Sequence, residues 1–320
     1  MFTVSVIIPI YYNEDNLHPL YEDIVNKLYA HEEINWEIVM VNDGSKDNSY
    51  SIVKQLANQD PRIKAVSLSR NFGSHAAVLC GFAECTGDCA VVKAADLQEP
   101  TELILEMVDS WEEGNNVVLA ERAGREESKR QQFAANSYYW IVRKAALPTM
   151  PKNGFDIYLV DRKVIDVLTS LDETNSALTG QILWSGFKTG HVQYVRQARE
   201  IGESKWTFRK KIRLVMDTVF SFSTIPVTIV LFAGVISVLI AITWAIIVLV
   251  GKASGTIGTI GYVSLLIAQM LSFGIIMTTL GILGEYLWRV FDASRGRPPY
   301  IVEERYRKSE HSENINEHHR

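Results

Sequence analysis

Five apolar runs punctuate the first 120 residues: Val4–Ile10, Glu37–Val41, Ala65–Leu68, Ala90–Val92 and Val117–Ala120. Between them apolar residues recur at helical spacing, as at Leu17, Leu20, Ile24 and Leu28, and again at Ile52 and Leu56. Strands alternating with helices predict an α/β domain, a mostly parallel sheet with helices on both faces. The pattern changes near the end of the chain. From Thr218 to Gly284 the only charged residue is Lys252, and the uncharged runs on either side of it each exceed the roughly 20 residues that span a bilayer core. A two-helix transmembrane hairpin is predicted at about 225–250 and 260–284.

Just before the first span, Phe208, Ile212, Val215, Met216, Val219 and Phe222 share one side of a helix, and Arg209, Lys210, Arg213 and Asp217 the other. That places an amphipathic helix, residues 203–222, at the membrane surface. The expected organisation is a large α/β domain over 1–202, this interfacial helix, the hairpin within 223–290, and a tail over 291–320. After Val302 the tail is charged and nearly free of apolar residues, and disorder is expected there.

Charge orients the hairpin. Arg209, Lys210, Lys211 and Arg213 precede it and Arg289, Arg295 and Arg297 follow it, whereas the connecting loop offers only Lys252. The positive-inside rule puts both termini and the large domain in the cytoplasm, a multi-pass arrangement in the plasma membrane. The opening "MFTVSVIIPIYY" has no basic n-region and reads as a first strand rather than a signal peptide. Cys80, Cys85 and Cys89 then face a reducing compartment, and their spacing matches no common zinc pattern, so they read as core residues. A net charge of −5 argues against a general nucleic-acid partner.

In open α/β sheets ligands bind beyond the carboxyl ends of the strands. Three such ends are polar here: "YYNED" after the first strand, "NDGSKD" after the second and "DLQEP" after the fourth. Asp96 is a strand-end acid with Gln98 beside it, a hard-oxygen pair suited to Mg²⁺ or Mn²⁺. Arg122, Arg125, Lys129 and Arg130 form a basic cluster able to hold a phosphate, and Arg199 and Lys205 could grip that phosphate or a second one. Asp161 and Arg162, adjacent in sequence, read as an internal ion pair.

The ordered segments "VSVIIPIYYNEDNL", "VMVNDGSKDNS", "LSRNFGSHAAVLCGF" and "AADLQEP" resemble the family 2 glycosyltransferases of GT-A fold. "ERAGREESKR", "GFDIYLVDRKV" and "REIGESKW", followed by two spans, resemble the polyprenyl-phosphate branch, which includes bactoprenol glucosyltransferases and dolichol-phosphate mannose synthases. The resemblance covers roughly residues 1–290. It implies an inverting transfer from a nucleotide sugar, UDP-glucose before GDP-mannose, to a polyprenyl phosphate. It places Pro9, Tyr11, Glu14 and Asp43 around the base and ribose, and Asp156 near the reacting centre, where positioning ranks above proton abstraction. Such a lipid monoester is mostly dianionic at neutral pH, so it needs alignment more than deprotonation.

Two departures stand out. The family's P-x-Y-N-E is one residue longer here, Pro9 to Glu14, which leaves the register of Tyr11 and Tyr12 open. Ala94 occupies the place of the first Asp of the family's D-x-D. Either the alanine is native or it disables the enzyme, and the otherwise intact apparatus favours the second. Ala94→Asp is then expected to raise metal-dependent transfer by about 10²–10³. Two other readings compete. A processive polysaccharide synthase would carry Q-x-x-R-W, but "QYVRQ" at 193–197 lacks the Trp and two spans build no channel. A catalytically silent nucleotide-sugar-binding membrane protein would tolerate Ala94. The oligomeric state is left open, a homo-oligomer included.

Overall fold

In the computed structural model, the described residues are 1–122, 139–140, 142–144, 146–152, 154–171, 173, 177–195, 218, 220–223, 225–254 and 262–307. Strand β1 (Phe2–Ile10) lies inside an eight-stranded sheet and is flanked by β2 (Ile34–Asn42) and β4 (Cys89–Val92), both parallel to it. Its apolar residues are buried on both faces, which is why the segment reads as a continuous apolar run rather than an alternation. The strand order is β7-β5-β6-β4-β1-β2-β3-β8, with β3 at Ile63–Leu68, β5 at Val117–Arg122, β6 at Ile157–Asp161, β7 at Thr189–Tyr194 and β8 at Val302–Tyr306. Only β6 and β8 run antiparallel to their neighbours.

Helices cover both faces. Leu17, Leu20, Ile24 and Leu28 of α1 (Leu17–Leu28) pack with Val4, Val6, Ile8 and Ile10, together with α2 (Ser49–Gln59) and α4 (Leu103–Glu112). On the other face α3 (Ser74–Glu84), α5 (Arg162–Ser170) and α6 (Leu178–Trp184) bury Ile7, Val39 and Val41. This is the mostly parallel α/β sheet expected of the GT-A fold. β2 starts at Ile34, three residues before the predicted run, because Ile34 and Trp36 reach the core across an exposed Asn35. All three cysteines are free and buried, and burial pushes the Cys80 thiol up to about 12.

Two helices, α7 (Ile225–Ala253) and α8 (Tyr262–Ser294), are long and apolar enough to cross a membrane. They run antiparallel: Tyr286 Oη donates to the Ser223 carbonyl at 3.1 Å, and Arg289 reaches Ser221 at 3.2 Å. α8 continues ten residues past the predicted end at Gly284, with Arg289 paired to Glu285 one turn earlier. The predicted interfacial helix lies mostly outside the described residues.

Two expectations are corrected. The segment after Val302 is not disordered throughout, since β8 pairs antiparallel with β3, matching Ala65 to Tyr306 and Ser67 to Glu304. Arg305 pairs with Glu84 at 2.7 Å, Lys54 with Glu304 at 3.4 Å, and Tyr306 bonds Asn58. The charged composition that suggests disorder suits an edge strand, where charges guard unpaired backbone groups. The sheet therefore includes chain from beyond the apolar hairpin as well as residues 1–202. The Asp161–Arg162 ion pair does not form. Asp161 caps α5 through the Lys163 amide and accepts from Trp111 Nε1 at 2.9 Å, while Arg162 donates to the Gly87 carbonyl and faces Asp166.

Candidate active site

Because β1, β2, β4 and β5 point the same way, their carboxyl ends share one edge of the sheet. β6 runs the other way, so its first residue, Ile157, meets that edge opposite Ala120 and brings Asp156 with it. The topology thus gathers Tyr11, Glu14, Asp43, Asp96, Arg122 and Asp156 along one rim. Sequence distance gives no hint of the last two as neighbours, yet Arg122 and Asp156 form an ion pair, with the arginine side chain 14% exposed and the aspartate 46%.

On the β1–β2 side the loops are tied together by hydrogen bonds. The Tyr12 amide donates to Ser45 Oγ at 3.0 Å, the Asn13 amide to Ser49 Oγ at 3.0 Å, and the Asn48 amide to Glu14 Oε2 at 2.8 Å. Pro9 is half-buried near the end of β1, opposite Val41. Tyr12 takes a left-handed φ of 55° and is exposed, its ring edge-on to Tyr11 at 4.6 Å. Asp43 is 3% exposed, and its two oxygens accept the Phe72 and Gly73 amides at 2.7 and 3.0 Å. Its carboxylate joins the β2 loop to the start of α3. Gly44 beside it has φ +66°, and a Cβ there would lie 2.3 Å from the Arg70 carbonyl carbon, so only glycine lets the two loops approach.

On the β4 side the turn after Lys93 carries Asp96 and Gln98, both half-buried. The Gln98 amide donates to Asp96 Oδ1 at 3.3 Å, and Leu97 between them has φ +57°. Lys93 is 2% exposed; its Nζ donates to the Glu99 carbonyl at 2.9 Å, and the Ala94 amide donates to Glu99 Oε2 at 3.1 Å. Burial pulls the Lys93 ammonium below the usual lysine range, against the opposing pull of Glu99 and Asp23.

No cluster of three or more His, Cys, Asp or Glu able to hold a metal ion is found among the described residues. The donors at Asp96 and Gln98 nevertheless fit Mg²⁺ or Mn²⁺, because such ions take one or two protein carboxylates and complete their shell with substrate phosphates and water. Arg125, Lys129, Arg130, Arg199 and Lys205 lie outside the described residues. Sequence reasoning missed Ser45, Asn48 and Ser49, which read as ordinary turn residues, and Lys93 and Glu99. A lysine inside "VVKAAD" was the available signal for the last pair, since a charge in a buried strand end needs a partner.

The profile of Glycosyl transferase family 2 matches residues 5–157. An uncharacterized glycosyltransferase of Bacillus subtilis (strain 168) is 37% identical over 303 residues, covering 94% of each chain. A prophage bactoprenol glucosyl transferase homolog of Escherichia coli (strain K12) is 33% identical over 93% of this chain and 98% of its own length. The bactoprenol glucosyl transferase of Shigella phage SfV is 31% identical over 95% of this chain and 99% of its own. Among solved structures, a mannosyltransferase from Pyrobaculum calidifontis aligns with a TM-score of 0.44 at 15% identity, covering 87% of this chain and 86% of that one. Likeness that runs through both the sheet and the apolar helices, at 31–37% identity, is that of common descent, and the chain belongs to glycosyl transferase family 2.

Proposed function

We propose that this glycosyltransferase moves glucose, with inversion, from UDP-glucose to a polyprenyl phosphate at the cytoplasmic leaflet. The observation that carries the reading is the placement of Asp96 and the Arg122–Asp156 pair on one sheet edge, in a chain with two membrane-length apolar helices. Relatives named bactoprenol glucosyl transferases support glucose as the sugar and a polyprenyl carrier as the acceptor. Asp96 and Gln98 would hold Mg²⁺ or Mn²⁺, which neutralises the charge that develops on the departing diphosphate. Tyr11 and Glu14 line the donor side. Asp43 acts there by joining the loops at 44–45 and 70–73.

Arg122 takes the acceptor. At rest it is neutralised by a monoanionic carboxylate; a dianionic phosphate offers the guanidinium twice that charge and a bidentate partner. Arg122 then turns to the phosphate and Asp156 is freed to orient the sugar. Arg125, Lys129 and Arg130 follow Arg122 closely in sequence and would extend the same basic surface, with Arg199 and Lys205 on the donor phosphates. Arg122→Gln is expected to raise the KM for polyprenyl phosphate at least about tenfold, with little change in the KM for the nucleotide sugar. The reverse split would put Arg122 on the donor.

The reading as a whole is tested by a panel of radiolabelled nucleotide sugars with a short polyprenyl phosphate. Label from UDP-glucose should pass into the lipid fraction, and failure of every donor would leave a binding protein. Topology has its own test. A cysteine placed at Ser254 should react with impermeant reagents added outside intact cells, and labelling at Ser309 instead would invert the orientation.

A further inference from the structure

The turn that presents Asp96 is closed at its base by two residues the reaction does not use. Lys93 is the last sheet-bonded residue of this segment, its amide held by the Ile7 carbonyl at 3.0 Å. From there its ammonium crosses under the turn to the Glu99 carbonyl, while the Glu99 carboxylate returns to the Ala94 amide. Residues 94–98 are thus clasped at both ends. The exit of the turn is fixed to α1, where Thr101 bonds Asp23 and Lys27 bridges Asp23 and Glu102 at 2.8 and 2.9 Å. Inside the clasp Leu97 adopts a left-handed backbone, a conformation unfavourable for a residue with a side chain that persists only when its surroundings impose it.

Stability alone is a poor account of this arrangement. Taking the Lys93 ammonium out of water is costly even where it finds a backbone carbonyl, and a methionine at 93 would suit the core as well. The two bonds instead end on the backbone of the turn that carries Asp96. We infer that Lys93 and Glu99 are positioning residues that hold the 94–98 turn so that Asp96 meets the metal–diphosphate group of the donor. This inference rests on the proposed nucleotide-sugar site.

Calorimetric titration of the full-length protein with UDP, with and without MnCl₂, tests it. The parent chain should bind UDP more tightly with Mn²⁺, and Asp96→Asn should lose that gain. Lys93→Met and Glu99→Ala should lose it by about tenfold or more, the usual scale for residues that orient a metal ligand. Glu99→Gln, which keeps an oxygen for the Ala94 amide, should stay within about threefold of the parent, a retention that a role in bulk folding does not require. Should Lys93→Met fail to fold, the contrast between Glu99→Ala and Glu99→Gln decides. Folded Glu99→Ala with an intact Mn²⁺-dependent gain overturns the positioning role. A parent chain that binds no UDP at all removes the nucleotide-sugar reading, and this inference with it.

Discussion

Asp96→Asn should lower the rate of sugar transfer by about 10²–10³, roughly 3–4 kcal/mol of transition-state stabilisation. The amide keeps the shape of the turn, including an oxygen for the Gln98 amide that Asp96 now accepts, but removes the charge. The loss should therefore fall on kcat in the metal-loaded enzyme, with the melting temperature nearly unchanged. Single-turnover measurements with the radiolabelled donor would separate it from a binding defect, and a variant that retains more than a third of parent activity would place the metal-binding acid elsewhere. The sequence alone points to an equal and opposite gain from Ala94→Asp.

The second large effect belongs to stability. Glu37 is buried at the edge of the sheet away from the candidate site, pairing with Lys64 at 2.5 Å and accepting from Ser5 Oγ at 2.6 Å and from the Thr86 amide and hydroxyl, each at 2.8 Å. One carboxylate thereby joins β1, β2, β3 and the loop before β4. Glu37→Ala leaves Lys64 without its ion-pair partner and Ser5 and Thr86 without this acceptor. Breaking a pair of this kind costs about 3–5 kcal/mol, so the melting temperature in detergent should fall by about 10 °C.

The same residue gives a pH dependence. Burial favours the neutral acid, but Lys64, Ser5 and Thr86 together outweigh it and hold the carboxyl below its ordinary value of 4.5. A depressed folded value means stability that is full above about pH 4.5 and is lost as pH falls through the folded value. The parent should show that acid loss, and Glu37→Ala should show a shallower one from its lower plateau. An acid limb of unchanged steepness in the variant would assign the effect to other carboxylates, such as Asp60, which Arg62 also holds below the usual range against the cost of burial.

Much of the fold could be read directly from the residues. Apolar runs separated by helical spacing required a buried sheet with helices on each face, because each element had to hide its own apolar side, and the periods of 2 and 3.6 that reveal those sides are local. The uncharged stretches flanking Lys252 were legible for the same reason, and so were the polar strand ends at Asn42–Asp43 and Asp96. The charged "VEERY" was not. An edge strand is selected by the unpaired amides and carbonyls of β3, which belong to another part of the chain, and its own pattern carries no apolar face to announce it.

Individual side-chain roles divide in the same way. Residue chemistry singled out Asp43, Asp96, Arg122 and Asp156 as polar groups suited to phosphate, metal and sugar. Only tertiary structure decided what each touches. Asp43 is bound to the Phe72 and Gly73 amides because β2 and β3 lie side by side, and Arg122 meets Asp156 because β6 runs antiparallel and begins where β5 ends. Lys93 and Glu99 are six residues apart, yet nothing in their spacing predicts that a left-handed Leu97 folds the turn back to join them. Neighbours along the chain set which helices and buried strands form, and which polar groups stand at the ends of β1, β2 and β4. Which groups pair was decided by strand order and direction, through contacts between segments that no local pattern encodes.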